Sequence, residues 1–207
     1  MSAVAGLRTL AARAAVPTTE TTTPEAPATV DEERCDLCGR GVPADHRHVL
    51  DLEQRCIVCT CETCWGLRSG DENLAPVGTR IAWLEGFDMP DDVWAAFGIP
   101  IGLAFFLYSS VTSCVVALYP SPAGATESEL RFETWRRLTE RNPVLDDLQP
   151  DAEALIVNRM GDEPAYAIVP IDRAYELVGL IKVHWEGISG GTGLEAAIDR
   201  WFAELRP

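Results

Sequence analysis

The chain has 207 residues, enough for one or two domains with a core of useful size. With 32 acids against 17 bases it carries a net charge of −15, and Lys182 is its only lysine. A surface this acidic repels a phosphate backbone, which argues against nucleic-acid binding.

Residues 1–16 (MSAVAGLRTLAARAAV) allow a short amphipathic helix, with Val4, Leu7 and Leu10 set against Arg8 and Arg13. The two arginines interrupt any sustained apolar run, so the segment does not read as a secretory signal. Without export, paired cysteines read as metal-binding or redox thiols and not as a disulfide framework, and a cytoplasmic location is expected. Residues 17–33 are rich in Thr, Pro and Glu and cannot bury enough surface to order themselves. The expectation for 1–33 is a disordered or weakly helical tail that acts as a tether.

Residues 34–70 concentrate the chemistry. Six of the seven cysteines and two of the three histidines lie between Arg34 and Arg68. Cys35-x-x-Cys38 is followed by His46 and His48, then by Cys56-x-x-Cys59-x-Cys61-x-x-Cys64. Thiolate and imidazole at this density point to a metal-binding module. Five arginines meet five acids within 34–68, and that local balance suits a site whose four thiolates leave a divalent ion with net negative charge. Cys38-Gly39 reads as the turn of a zinc knuckle, where glycine admits the backbone conformation that presents two sulfurs to one ion. The second pair is ambiguous, because Cys56/Cys59 and Cys61/Cys64 share the same spacing. Residues after Cys61 can open a helix whose N-terminal dipole favours thiolates, whereas Gln54–Val58 reads as a strand leading in. The expected ligands are therefore Cys35, Cys38, Cys61 and Cys64, as in a treble-clef or zinc-ribbon module. Cys59, Cys56, His46 and His48 remain as additional candidates. Zn²⁺ is the expected ion and iron the alternative.

The region 76–207 reads as an α+β domain of β-hairpins packed with helices. A strand is expected within Val77–Leu84, then a short helix capped by Asp91 or Asp92. No charge occurs from Val93 to Thr126. That run is long enough for a bilayer. Pro100 and Pro120 bracket it, however, and Ser109–Ser113 divides it into two β-rich halves, which predicts a buried hairpin with Cys114 as a core thiol. Tyr119–Ser128 forms a loop, and Thr126-x-x-Glu129 reads as a capping box opening a helix through Arg141. Phe132, Trp135 and Leu138 would form the inner face of that helix, with Pro143 ending it. Glu153–Arg159 and Tyr166–Ile171 predict a second hairpin. Asp172 is expected to cap a helix with Tyr175, Val178, Ile181 and Trp185 inward, although Ile181, Val183 and Trp185 also alternate as a strand would. Ser189–Gly193 is too short for a phosphate loop, Thr192-x-x-Glu195 reads as a further cap, and Leu194, Ile198, Trp201, Phe202 and Leu205 make one apolar helical stripe.

Phosphate-loop, dinucleotide and His-Glu-x-x-His patterns are absent from the sequence. His184 reads as a surface or packed residue, and no carboxylate pair has a spacing that marks acid–base chemistry. A catalytic role is not expected. Three functions then compete. The first is a non-catalytic zinc-binding accessory protein with a protein partner. The second is a rubredoxin-like iron electron-transfer protein, which Trp65 disfavours because it stands where glycine would follow the second pair. The third is an HNH-like treble-clef nuclease built on His46, His48 and Asp51, disfavoured by Trp65 and by the acidity.

Several motifs together resemble a known family: CDLCG, HRHVLDLEQR, CTCETC, IPIGLAFF, YPSPAGATES, NPVLDDLQPDAEALIVNR, VPIDRAYELVGLI and HWEGISGG. They look like an uncharacterised bacterial family, a domain of unknown function, encoded in gene clusters of high-affinity, oxygen-tolerant nickel–iron hydrogenases. The resemblance covers about residues 34–207. It implies a role in hydrogenase assembly or maturation, with hydrogenase subunits or their maturation factors as partners. It also implies a second cluster made of the cysteines at 59, 61 and 64 and not of Cys56, which favours Cys61/Cys64 as the pair and marks Cys59 as an extra ligand.

Overall fold

The computed structural model describes residues 33–68, 70–121, 124–128, 130–185 and 192–206, all within one compact unit, Glu32–Pro207. The expected tail at 1–33 falls outside the described residues apart from Glu33. The architecture is α+β, with two antiparallel sheets and helices.

The smaller sheet has the order β2-β1-β3, from β1 (Arg47–Asp51), β2 (Cys56–Thr60) and β3 (Leu74–Pro76). Asp51 closes the β1–β2 turn, its carboxylate accepting from the backbone N–H groups of Glu53 and Gln54 at 3.0 and 2.7 Å. The helix α1 (Glu62–Arg68) follows β2 directly. The sheet is tied to the rest of the unit by Leu50 of β1, which is 3% exposed and belongs to the main core.

The larger sheet is formed by β4 (Ala82–Trp83), β5 (Leu103–Ser109), β6 (Cys114–Ser121), β7 (Gly124–Ser128), β8 (Glu153–Asn158) and β9 (Ala165–Pro170), in the order β4-β9-β8-β5-β6-β7. Side chains alternate across each strand, and here both faces are covered. Leu103, Phe105 and Leu107 of β5 meet α4 (Ile171–His184) and α5 (Thr192–Glu204). Ala104 and Phe106 point the other way, towards α2 (Asp91–Ala96) and α3 (Phe132–Thr139). A strand buried on both faces has no polar alternation, and this accounts for the long uncharged run. No helix among the described residues is long and apolar enough to cross a membrane. Gly102 lets two backbones meet: a Cβ there would lie 2.9 Å from the Arg159 carbonyl.

Both expected hairpins are present, as β5–β6 and β8–β9. Several local expectations need correction. Only Ala82–Trp83 of the stretch Val77–Leu84 is strand, because residues before it are tied elsewhere. The Gly78 N–H donates to the Ala152 carbonyl, and Arg80 donates to Glu153 at 2.9 and 2.6 Å. Cys114 is exposed at the start of β6, its sulfur 3.2 Å from Thr112 Oγ1, and so is not a core thiol. Thr126 lies in β7, paired with Tyr119 of β6, and opens no helix. The helix α3 starts only at Phe132, with Arg131 as its N-cap. Thr134 and Leu138 are buried and Trp135 packs against the core, so Trp135 and Leu138 lie inward as expected, while Phe132 is exposed. It ends at Thr139, before the 3-10 turn Pro143–Asp147.

The helical period wins in α4, where Ala174, Leu177, Val178 and Ile181 are buried and Val183 is exposed. Proline, not aspartate, stands at two N-caps: Pro90 precedes α2 and Pro170 precedes α4. Asp91, Asp92 and Asp172 sit within the first turns, where their carboxylates meet Arg159, Arg137 and His48 respectively. The stripe of α5 is buried as expected at Leu194, Ile198, Trp201 and Phe202, with Leu205 just after it. Ser189–Gly191 lie outside the described residues.

Candidate metal centre

Four cysteines far apart in the chain converge where the small sheet meets α1. Cys35 and Cys38 lie on a tight turn whose Gly39 has φ 73°, with the Gly39 N–H donating to the Cys35 carbonyl at 2.8 Å. Cys61 follows β2 immediately, and Cys64 sits one turn into α1. The β1–β2 hairpin carries this second pair back to the first. Asp36 locks the two together, its N–H donating to the Cys59 carbonyl at 2.9 Å and its carboxylate accepting from the Cys59 N–H at 2.7 Å. Arg47 braces α1 from β1: it donates to Glu62 at 2.9 Å and lies 4.3 Å from the centre of the Trp65 ring.

Sulfur atoms of Cys35, Cys38, Cys61 and Cys64 all lie within 4.8 Å of one another. The Cys38 and Cys61 sulfurs are 3.7 Å apart. A tetrahedral ion with metal–sulfur bonds of about 2.3 Å sets its sulfurs roughly 3.8 Å apart, so this donor set fits one ion such as zinc. Electrostatics within the set are uneven. Burial opposes ionisation of Cys35, but N–H groups of Cys61, Leu37 and Cys38 outweigh it and lower its pKa from 9.0 to about 6. Cys61 is lowered as well, chiefly by the Cys64 N–H, which lies 3.4 Å from its sulfur. Cys64 is pushed up to about 12, first by its hydrogen bond to Cys38 and then by burial. Without a cation, Cys35 is the thiol of the set that ionises near neutral pH, and Cys64 keeps its proton. A divalent ion would replace the remaining protons, as thiolate coordination requires.

A second group stands beside the first. One donor atom from each of His46, His48 and Cys59 lies within 4.8 Å of the other two. His48 and Cys59 are direct cross-strand partners of β1 and β2, and His46 precedes His48 by the two-residue period that keeps side chains on one face. Asp172, on the first turn of α4, holds His48 Nδ1 at 2.9 Å. This carboxylate raises the His48 pKa above 6.5 against the opposing pull of burial. Sequence reasoning identified His46, His48 and Cys59 and assigned Asp172 only to a helix cap. Nothing in the local pattern around Asp172 announces a partner 124 residues away. Cys56 is exposed at the far end of β2, opposite Asp51, and belongs to neither group. His184 is exposed on α4, with Nδ1 2.9 Å from the Leu180 carbonyl.

A family model described as a family of unknown function matches residues 34–207. No curated protein and no solved structure matches the chain.

Proposed function

We propose, for a chain that belongs to the family of unknown function DUF5947, a non-catalytic accessory protein whose four-cysteine centre binds zinc to hold the Cys-rich region rigid. One observation carries the proposal: the sulfurs of Cys35, Cys38, Cys61 and Cys64 gather within 4.8 Å of one another, those of Cys38 and Cys61 at 3.7 Å. Four thiolates fill the coordination sphere of zinc and leave no position for a substrate, so an ion held there stabilises. The order knuckle, hairpin, then helix bearing the second pair supports a treble-clef-like module. Iron is the alternative ion, since the same donors accept it.

The client we propose is a nickel–iron hydrogenase, during its assembly or maturation. Support for the client comes from the motif resemblance alone, and the excess of acids suits a partner with a basic face. Elemental analysis of the purified chain tests the centre. Zinc is expected, lost together with the knuckle in Cys35→Ser; iron with a thiolate-to-iron absorption band would replace the structural reading with a redox one. Deleting the gene tests the client. Hydrogen uptake should fall, and full uptake with a fully processed large subunit would exclude the role.

A further inference from the structure

The four-cysteine set leaves a buried histidine unexplained. The His46 side chain is only 3% exposed, and its Nδ1 lies 2.9 Å from the Pro43 carbonyl. A carbonyl oxygen only accepts, so Nδ1 carries the proton and Nε2 of the neutral ring presents a lone pair. His48 repeats the arrangement, with Nδ1 facing the Asp172 carboxylate at 2.9 Å. The two Nε2 atoms then face each other at 3.1 Å. Two lone pairs at that distance repel unless a cation lies between them, either a proton or a metal ion.

The surroundings favour the metal. Nitrogens bound at about 2.0–2.1 Å to one tetrahedral ion lie roughly 3.3 Å apart, close to the observed spacing. A third donor is in place, because Cys59 stands opposite His48 on the hairpin. Both rings are also anchored through their other nitrogen, one to a backbone carbonyl and one to a carboxylate. Metal-binding histidines are held in this way, which fixes the tautomer and aims the lone pair. The group supplies three donors, one short of a tetrahedral set. These donors line a cleft of about 610 Å³ shared with Asp172, Tyr175 and Glu176.

We propose that His46, His48 and Cys59 form a second metal site, distinct from the four-cysteine centre, that takes a late first-row divalent ion and keeps one coordination position open to the cleft. Two imidazoles and one thiolate suit zinc, nickel, cobalt or copper and not magnesium or calcium. An incomplete protein sphere exchanges its ion and can pass it on or accept a small ligand, unlike the closed neighbour. The two sets share no residue, so this site stands whichever ion the cysteines hold.

The test uses the full chain, equilibrated with excess zinc, desalted and analysed for metal, with Co²⁺ absorption as a second readout. The natural sequence should retain a second equivalent that a mild chelator removes before the first. His48→Ala and Cys59→Ser should each lose that equivalent, and Cys59→Ser should also lose part of the sulfur-to-cobalt charge-transfer band. Cys35→Ser should lose the four-cysteine ion and, with the order of β1 and β2, the second equivalent too, whereas His48→Ala and Cys59→Ser spare the first, so failure of one site is distinguishable from failure of its neighbour. Asp172→Asn keeps all three donors and should weaken the second site about 10- to 100-fold, with the far-ultraviolet circular dichroism unchanged. A single equivalent in the natural sequence, or a second one that survives both His48→Ala and Cys59→Ser, overturns the proposal.

Discussion

In β2 one residue of five is buried, Thr60, whereas in β8 all six are. The two sheets of this molecule are held by different means. The large sheet places aromatic and branched side chains on both faces: Phe105 and Ile156 against α4 and α5, Phe106 and Leu155 against α2 and α3. Burial of this extent supports a sheet without help, at about 1.5–3 kcal/mol for each large side chain. The small sheet has little of it, and its apolar link to the core is chiefly Leu50. What it has instead is two clusters of metal donors and hydrogen bonds such as those of Asp36. Where a hairpin cannot bury enough surface, coordination can supply the missing free energy.

The sharpest way to break this comparison is to remove the ion. Cys61→Ser, or a strong chelator, should unfold the region around β1, β2 and α1, since a structural zinc supplies about 10–16 kcal/mol of apparent binding free energy. Hydrogen exchange reads the outcome: amides of β1 and β2 lose protection while those of β5 and β8 keep it. Equal loss in both sheets would show that they fold as one cooperative unit.

The converse change is smaller. Phe106→Ala removes a fully buried ring that packs 4.8 Å from Phe97 and 5.7 Å from Trp135, centre to centre. It should cost about 3–5 kcal/mol in denaturant unfolding and leave metal content unchanged in the folded protein. A change in bound metal would place the centre under the control of the large sheet's core.

Tyr175 gives the smallest effect and lies between the regions, on α4 beside Phe105, with ring centres 5.8 Å apart. Burial raises its pKa above the ordinary 10.0. The folded state then keeps its proton where the unfolded chain releases one, so this stability is complete below pH 10.0 and is lost as pH rises through the raised value. Tyr175→Phe should flatten alkaline unfolding over that window, as followed by circular dichroism; an unchanged slope would show that the phenol ionises freely in the fold.

The two cysteine and histidine clusters were legible in the sequence because their geometry is local. Cys35 and Cys38 share a turn, Cys61 and Cys64 share the start of a helix, and His46 and His48 stand two residues apart at the start of β1. It reached α5 because five large apolar residues repeat at helical spacing. It missed β7, since Thr126-x-x-Glu129 reads equally as a cap or an extended edge, and only the ladder to β6 decides. It misplaced Cys114, which is followed by apolar residues but begins a strand after an exposed turn. It assigned Asp172 to a cap because Pro170, which holds that place, leaves no mark on the helical period. The common cause is that pairing across the sheet and contact between distant segments carry no periodic signature.

The contact between Asp172 and His48 also has a consequence in time. During synthesis every donor of both clusters has left the ribosome once Cys64 emerges, long before α4 is made. A nascent chain therefore carries all its sulfur and imidazole while the residue that aims one of the rings, 124 positions downstream of it, does not yet exist. The closed cysteine set can be loaded early, whereas the second group acquires its final orientation only when the last third of the protein has folded against it. Its occupancy would then report that α4 has been made and has docked.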